Sequence, residues 1–186
     1  IAGRVHRTPL LSSRTLGPDV FLKAELLQRT GSFKPRGVLT KLATLTPEEK
    51  RRGVIASSAG NHAAALAFGA ALEGTTALVV MPRGASEVKR DAALAYGAEI
   101  DQEAAGPGDL FQRMDELVES TGRVLVHPFD DPLVLAGQGT VGLEILDDLE
   151  GVETIVVPVG GGGLFAGIAS AAAPAGVAVV PVEPEG

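Results

Sequence analysis

Residues 30–37 read TGSFKPRG, and one lysine, Lys34, lies between an aromatic residue and a proline inside this glycine- and serine-rich turn. A surface lysine normally lies among other polar residues, so this setting indicates a positioned amine. Lysine forms Schiff bases with carbonyl compounds, and burial lowers the pKa of its amine enough to make it nucleophilic. Lys34 is therefore a candidate catalytic residue, although the same octet also fits an ordinary loop that starts a helix at Pro35.

Outward from this turn, strand and helix patterns alternate along the whole chain. The runs at residues 155–159 and 177–182 are continuously apolar and rich in β-branched residues, as in strands that are covered on both faces. This pattern predicts an α/β fold with a mostly parallel sheet. The helix predicted over residues 132–149 contains Gly137-Gln138-Gly139, and we expect it to break there.

The composition narrows the kind of protein that this chain can be. Of its 186 residues 45% are hydrophobic, which suits one large domain or two small ones with a buried core. The formal net charge of −7 disfavours nucleic acid or an anionic membrane as a partner. The sequence has no cysteine, no secretory signal pattern at its start and no uncharged apolar run of ~18 residues. We therefore expect a cytoplasmic protein that does not span a membrane.

A second candidate site, SSAGNH at residues 57–62, lies between a predicted strand and a helix start. Free backbone N–H groups and the positive end of the helix dipole make such a turn an anion site. The hydroxyls of Ser57 and Ser58 and the amide of Asn61 add donors that suit an amino-acid carboxylate. The same residues also fit ordinary helix capping.

A third candidate site is VGGGGL at residues 159–164, again between a strand and a helix. Four consecutive glycines let backbone amides approach a phosphate closely, whereas a structural turn needs only one or two. The run therefore predicts an anion site.

The glycine run also fits a dinucleotide fold. Gly161, Gly163 and Ala166 match the pattern G-x-G-x-x-A, and Glu183 follows ~20 residues later at a predicted strand end. A nicotinamide- or flavin-binding protein is therefore an alternative, but it assigns no role to Lys34 or to the turn at residues 57–62.

Taken together, these stretches resemble the pyridoxal-phosphate enzymes of fold type II, the tryptophan-synthase-β-like superfamily. Within it they are similar to the group of threonine dehydratase (threonine ammonia-lyase) and serine racemase. The resemblance covers nearly the whole chain in order. Its blocks are KAELLQ (23–28), TGSFKPRG (30–37), SSAGNH (57–62), MPRGASEVKRDAALAYGAEI (81–100), HPFDDPLVLAGQGTVGLEI (127–145), PVGGGGLFAGIA (158–169) and VEPEG (182–186).

The resemblance implies two three-layer α/β domains with mostly parallel, twisted sheets. Residues 53–129 would form a small mobile domain. Residues 1–52 and 130–186 would form a large cofactor-binding domain, with the site between the two. Since the family continues beyond Gly186, we expect the large domain to be incomplete at its C-terminal end.

The resemblance also implies roles for the three candidate sites. Lys34 would hold pyridoxal phosphate as a Schiff base, Phe33 would pack beside its ring, and Asn61 would hydrogen-bond the ring hydroxyl. The residues expected to cradle the phosphate through backbone N–H groups are Gly160, Gly161, Gly162, Gly163 and Leu164. The residues expected to bind the substrate carboxylate are Ser57, Ser58, Ala59, Gly60, Asn61 and His62. Glu183 matches one ligand of a divalent cation in the family, with its partners expected beyond Gly186.

The reaction implied is α,β-elimination of L-threonine or L-serine to a 2-oxo acid and ammonia, in amino-acid metabolism such as isoleucine biosynthesis. Serine racemases carry a serine at the position of Ala59, so Ala59 matches the dehydratase pattern. The alternatives are a serine racemase, another fold-type II enzyme and an inactive fragment. Family members are usually dimeric or tetrameric, so we expect a homo-oligomer.

Overall fold

A computed structural model describes residues 1–185 of the chain and every side chain within them except that of Pro107. The strands in this part are β1 (Leu10–Ser13), β2 (Gly17–Lys23), β3 (Val54–Ser57), β4 (Ala77–Val80), β5 (Glu99–Asp101), β6 (Val124–Leu125), β7 (Thr154–Pro158) and β8 (Ala178–Val182). The helices are α1 (Lys34–Leu42), α2 (Pro47–Arg52), α3 (Asn61–Glu73), α4 (Glu87–Ala95), α5 (Pro107–Thr121), α6 (Pro132–Asp148) and α7 (Gly163–Ala172). No helix in residues 1–185 combines the length and the apolar character needed to cross a membrane.

A four-stranded parallel sheet, in the order β5-β4-β3-β6, forms the centre of the first half of the fold. Successive residues of β3 point to opposite faces, as in any strand. Val54 and Ala56 pack on the side of α1 and α3, whereas Ile55 packs on the other side against Met114 of α5. Both faces of the sheet are therefore covered, which confirms the parallel α/β prediction for this sheet.

The strand order creates a crevice at one edge of this sheet. From β3 the chain moves outward to β4 and β5, and it then returns to the opposite side of β3 to form β6. Ligands of open α/β sheets bind outside the carboxyl ends of the strands where the order reverses. Here those ends are Ser57 of β3 and Leu125 of β6, so the segments that follow them flank the crevice.

The second half of the fold has a parallel pair, β7 and β8, packed on α6 and α7. One face is covered, since Ile155 and Val157 are buried in this core. The other face is open, with Val156 64% and Val180 43% exposed. The prediction that both runs are covered on both faces is therefore wrong for β7 and β8, because helices lie on one side only. A short antiparallel ribbon of β1 and β2 completes the strands of residues 1–185.

Helix α6 runs unbroken through Gly137-Gln138-Gly139, so the predicted break is wrong. Both glycines are instead points of close helix contact. A Cβ at Gly137 would lie 2.5 Å from the Cα of Gly37 in α1, and one at Gly139 would lie 2.8 Å from the carbonyl oxygen of Gly167 in α7. The missing side chains let the backbones of α1, α6 and α7 approach closely, and this packing offsets the low helix propensity of glycine.

A buried ion cluster ties α1 to the rest of the chain. Arg36 is 0% exposed, and its guanidinium bonds Glu25, which follows β2, and Glu144 of α6, both at 2.7 Å. Lys23 Nζ lies 2.8 Å from the other carboxylate oxygen of Glu144. Burial opposes the charge on Arg36, but hydrogen bonds to the two carboxylates raise its pKa overall. The first turn of α1 is thus bonded both to the segment after β2 and to α6.

The glycine contacts predict a sharp difference between two alanine substitutions within helices. Gly137→Ala should destabilise the protein by about 1–3 kcal/mol or more, because the new methyl group meets backbone atoms that cannot move aside. Gly108→Ala in α5 should be neutral or slightly stabilising, because no atom lies within 4 Å of its Cβ position. Denaturant unfolding of both variants checks this expectation, and equal stabilities would contradict it.

Candidate active site

Lys34 and the glycine run open onto one cavity of about 310 Å³. This volume is at the lower end of the ~300–1,000 Å³ typical of small-molecule sites. The residues that line it are Phe33, Lys34, Phe129, Pro158, Val159, Gly160, Gly161, Gly162, Gly163 and Leu164. Two motifs that are far apart in the sequence, at the starts of α1 and α7, are therefore close enough for one small molecule to contact both.

The side chain of Lys34 is held within this cavity. Its Nζ donates a hydrogen bond of 2.7 Å to the backbone carbonyl of Pro128 and lies 5.2 Å from the centre of the Phe33 ring. Burial lowers the pKa of the Lys34 amine, because the charged form loses solvation. A larger fraction of the amine is therefore neutral and nucleophilic near neutral pH than for a solvated lysine.

The glycine turn has the geometry of an anion cradle. Gly162 adopts a left-handed conformation with φ of +81°, and α7 begins at the next residue, so the turn lies at the positive end of a ten-residue helix. No heavy atom lies within 4 Å of a Cβ position at Gly160, so that position faces open space. Within residues 1–185 the N–H groups of Gly160, Gly161 and Gly162 have no backbone acceptor. Such free donors suit a phosphate.

Phe129 is a wall of the cavity that sequence reasoning missed. Its side chain fills the space beside the glycine turn: a Cβ at Gly161 would lie 2.5 Å from Cγ of its ring and one at Gly163 2.9 Å from its Cβ. Any side chain at Gly161 or Gly163 would therefore clash with Phe129, whereas Gly160 faces the open cavity. The position of Phe129, shortly after β6 at the crevice of the sheet, is the signal that would have identified it.

The loop from Ser57 to His62 does not line this cavity. Ser57 and Ser58 are half-buried, Ala59 is exposed, and the Ser58 hydroxyl accepts a hydrogen bond from the N–H of Gly60 at 3.1 Å. No side chain caps the start of α3, so its first N–H groups have no side-chain acceptor. The loop follows β3 at the crevice, as expected for an anion-binding turn.

Asn61 and His62, both predicted to act at the site, make other contacts. The Asn61 Oδ1 accepts a hydrogen bond of 2.7 Å from Nζ of Lys89 in α4. His62 is 2% exposed, and its Nε2 donates to the carbonyl of Val126 at 2.9 Å. Its Nδ1 is buried without a partner among the described residues. Burial, together with the nearby charge of Lys34, lowers the pKa of His62 to about 4, so the imidazole is neutral at pH 7.

Glu183 is exposed just after β8. Among residues 1–185 no group of three or more His, Cys, Asp or Glu side chains is arranged to hold a metal ion. The divalent cation therefore stays a prediction.

The sequence matches the family described as "Pyridoxal-phosphate dependent enzyme" over residues 1–186. The chain belongs to this family. The fold-type II prediction is therefore confirmed, and the dinucleotide alternative built on Gly161, Gly163, Ala166 and Glu183 has no support. Pyridoxal phosphate, the cofactor of the family, has an aldehyde and a phosphate, and the cavity is lined both by the Lys34 amine, whose pKa burial lowers, and by the glycine turn with its free backbone donors. The residues present fit the cofactor.

This member of the pyridoxal-phosphate family is similar in sequence and in fold to several known proteins. It is 48% identical over 176 residues to the L-threonine dehydratase catabolic TdcB of Escherichia coli (strain K12), covering 92% of this chain and 53% of the relative. A structure of maize serine racemase superposes with a TM-score of 0.94 at 38% identity, covering 98% of this chain and 57% of that one. The processed form of threonine deaminase isoform 2 from Solanum lycopersicum superposes with a TM-score of 0.92 at 35% identity, covering 97% and 51%. The chain spans about half the length of the curated relatives it matches.

The buried imidazole of His62 predicts a pH-dependent stability. Its pKa is about 4 in the folded state and 6.5 when solvated, so the unfolded chain binds more protons between these values. The free energy of unfolding should therefore fall by on the order of 3 kcal/mol as the pH drops from 6.5 toward 4. His62→Gln should remove this part of the slope.

The matched control is His6→Gln, because His6 is exposed and should leave the slope unchanged. Urea unfolding of the three proteins at several pH values measures the difference. A slope in His62→Gln equal to that of the wild type would contradict the expectation.

Proposed function

We propose that the complete natural protein containing this chain is a pyridoxal-phosphate-dependent lyase. It deaminates L-threonine, L-serine or both to a 2-oxo acid and ammonia by α,β-elimination. One observation carries the proposal: the desolvated amine of Lys34 and the glycine turn open onto the same cavity. The names of the relatives from E. coli and Solanum lycopersicum, a dehydratase and a deaminase of threonine, support the elimination reaction.

This chain would hold the cofactor at its two ends. Lys34 would hold its aldehyde, Phe33 would pack beside the ring, and Asn61 would hydrogen-bond the ring hydroxyl in place of Lys89. The residues whose backbone N–H groups would hold the phosphate are Gly160, Gly161, Gly162, Gly163 and Leu164. When bound, pyridoxal phosphate supplies an electron-accepting ring that disperses the charge developing at the substrate Cα.

The substrate carboxylate binds at the start of α3. The hydroxyls of Ser57 and Ser58, together with the free N–H groups of Ala59, Asn61 and His62, make the donor set, while the N–H of Gly60 is bonded to the Ser58 hydroxyl. The helix dipole of this 13-residue helix adds positive potential. His62 contributes through its backbone N–H, since its ring is turned to Val126.

Lys34 Nζ moves the proton of the reaction. Once the substrate amine has displaced Lys34 from the cofactor, the neutral form of the Lys34 amine, which is favoured because burial lowers its pKa, would take the proton from the substrate Cα. The β-hydroxyl group would leave with a proton, as water, and addition of water would then release the 2-oxo acid and ammonia. Ala59 lies in the substrate loop and carries only a methyl group. It has no proton to deliver to the opposite face of Cα, which favours elimination over racemisation.

Several broader features are part of the same proposal. The chain divides into a small mobile domain, residues 53–129, and a large domain, residues 1–52 and 130–186. This division is supported by the sheet β5-β4-β3-β6, because all four of its strands lie within residues 53–129. The protein acts in the cytoplasm as a homo-oligomer. Isoleucine biosynthesis stays a prediction, since the relatives from E. coli and Staphylococcus aureus are named catabolic.

The central test uses the complete natural protein. Addition of L-threonine should give 2-oxobutanoate and ammonia, and borohydride should trap pyridoxal phosphate covalently on Lys34. Lys34→Ala should lose the adduct and at least about 1,000-fold of the activity, since the base and the anchor are removed together. Fast formation of D-serine from L-serine with little oxo acid would instead identify a racemase, the activity of the maize neighbour. No adduct in the wild type would exclude the lyase.

Gly160 allows a test of the phosphate cradle alone. Gly160→Ala adds a methyl group that meets no protein atom within 4 Å, so thermal stability should be unchanged. The methyl group enters the cavity, and the affinity for pyridoxal phosphate should fall by about tenfold or more, because the phosphate loses close backbone contact. Gly84→Ala is the control, since its Cβ position is equally open and does not line the cavity. Unchanged affinity in Gly160→Ala, by fluorescence titration, would argue against the cradle.

A further inference from the structure

The segment of residues 126–130, here named the crossover, joins the end of β6 to α6. Three parts of the fold contact it. His62 of α3 donates to the carbonyl of Val126 at 2.9 Å. Lys34 donates to the carbonyl of Pro128 at 2.7 Å. Phe129 packs its side chain against the glycine turn. The candidate catalytic amine is therefore in direct contact with a backbone carbonyl whose position depends on the conformation of this segment.

One side chain of the crossover sets that conformation. The Nδ1 of His127 accepts hydrogen bonds from the N–H groups of Phe129, at 3.3 Å, and Asp130, at 2.7 Å. These bonds fold the backbone into a turn around Pro128. The imidazole also meets the ring of Phe129 edge to face, with 4.6 Å between the ring centres. His127 thus orients the Pro128 carbonyl and the aromatic wall at the same time.

We propose that His127 is a positioning residue for Lys34: its Nδ1 holds the turn that presents the Pro128 carbonyl to the amine. The Pro128 carbonyl would accept the hydrogen bond from Lys34 Nζ whenever Nζ is not bonded to the cofactor. The proposal rests on the proposed function in that Lys34 is the reacting amine. Donation of one N–H to a fixed acceptor restricts where the lone pair of a neutral amine points. A general base must lie within hydrogen-bond reach of the proton that it removes, and its lone pair must point toward that proton.

The role can be separated from a general contribution to folding by choosing the replacement. An asparagine oxygen accepts hydrogen bonds from backbone N–H groups a few residues ahead, so His127→Asn should retain the turn. Leucine has no acceptor, so His127→Leu should lose it. His127→Gln is a second polar variant, whose extra methylene moves the acceptor away from the turn. His6→Leu is the control, because His6 is exposed and its hydrogen bonds to other described residues are made by its backbone.

The first measurement uses the complete protein from which the cofactor has been removed. In the wild type and His127→Asn, the amides of Phe129 and Asp130 should exchange slowly with solvent, and the Cε group of Lys34 should be ordered by NMR relaxation. In His127→Leu, amide exchange should accelerate by about tenfold or more. The Lys34 Cε should become mobile. If His127→Leu does not fold, His127→Gln takes its place in the same comparison.

The second measurement uses the complete protein with L-threonine. His127→Leu or His127→Gln should lower kcat by about tenfold or more, because the base is misplaced, with little change in KM. His127→Asn should recover most of kcat. An ordered Lys34 Cε in a folded variant that has lost the turn would overturn the proposal, and so would a kcat that the variants leave unchanged. If the complete protein lacks lyase activity but Lys34 mobility still follows the turn, the proposed function fails and the positioning role stands.

Discussion

The geometry of the site depends on the burial of one guanidinium between two carboxylates. Arg36 is fully buried, and its guanidinium is bonded to Glu25, just after β2, and to Glu144 of α6. Any shift of the first turn of α1 would leave a charge unpaired in the interior, at a cost of about 3–5 kcal/mol. Lys34 lies in the same turn but outside the cluster. The charge network thus positions the Lys34 amine without forming an ion pair with it. Because no carboxylate among the described residues stabilises the charged form of Lys34, burial lowers the pKa of the amine.

Close backbone contact is the second constraint. Gly37, Gly137, Gly139 and Gly167 carry no side chains at the seams between α1, α6 and α7, so the three helices approach more closely than side chains would allow. This packing brings the start of α1 toward the start of α7, where the glycine turn lies. The same residue type thus serves two purposes: in the helices glycine removes bulk, and in the turn it exposes backbone donors.

Much of the fold could be predicted from the sequence, and the errors share one cause. The helix predicted over residues 132–149 matches α6, and the two apolar runs that follow it match β7 and β8 within a few residues. The expected break in α6 was wrong because helix propensity says nothing of the backbones that pack on Gly137 and Gly139. The expected covering of β7 and β8 was wrong because a run of valines looks the same whether one face or both are covered. Each error concerned a neighbour distant in the chain.

The sequence by itself determined the chemistry available here: an amine in TGSFKPRG, free donors in VGGGGL, and a helix start after SSAGNH. These are local properties, since a few adjacent residues specify a turn and its donors. Only the tertiary structure decided that the Lys34 amine meets the carbonyl of Pro128, 94 residues away, and that the His62 ring faces the interior. Every residue has a backbone carbonyl, so the sequence does not distinguish one carbonyl from another. Its role arises from where the packed fold carries it, and no pattern of residue types records that position.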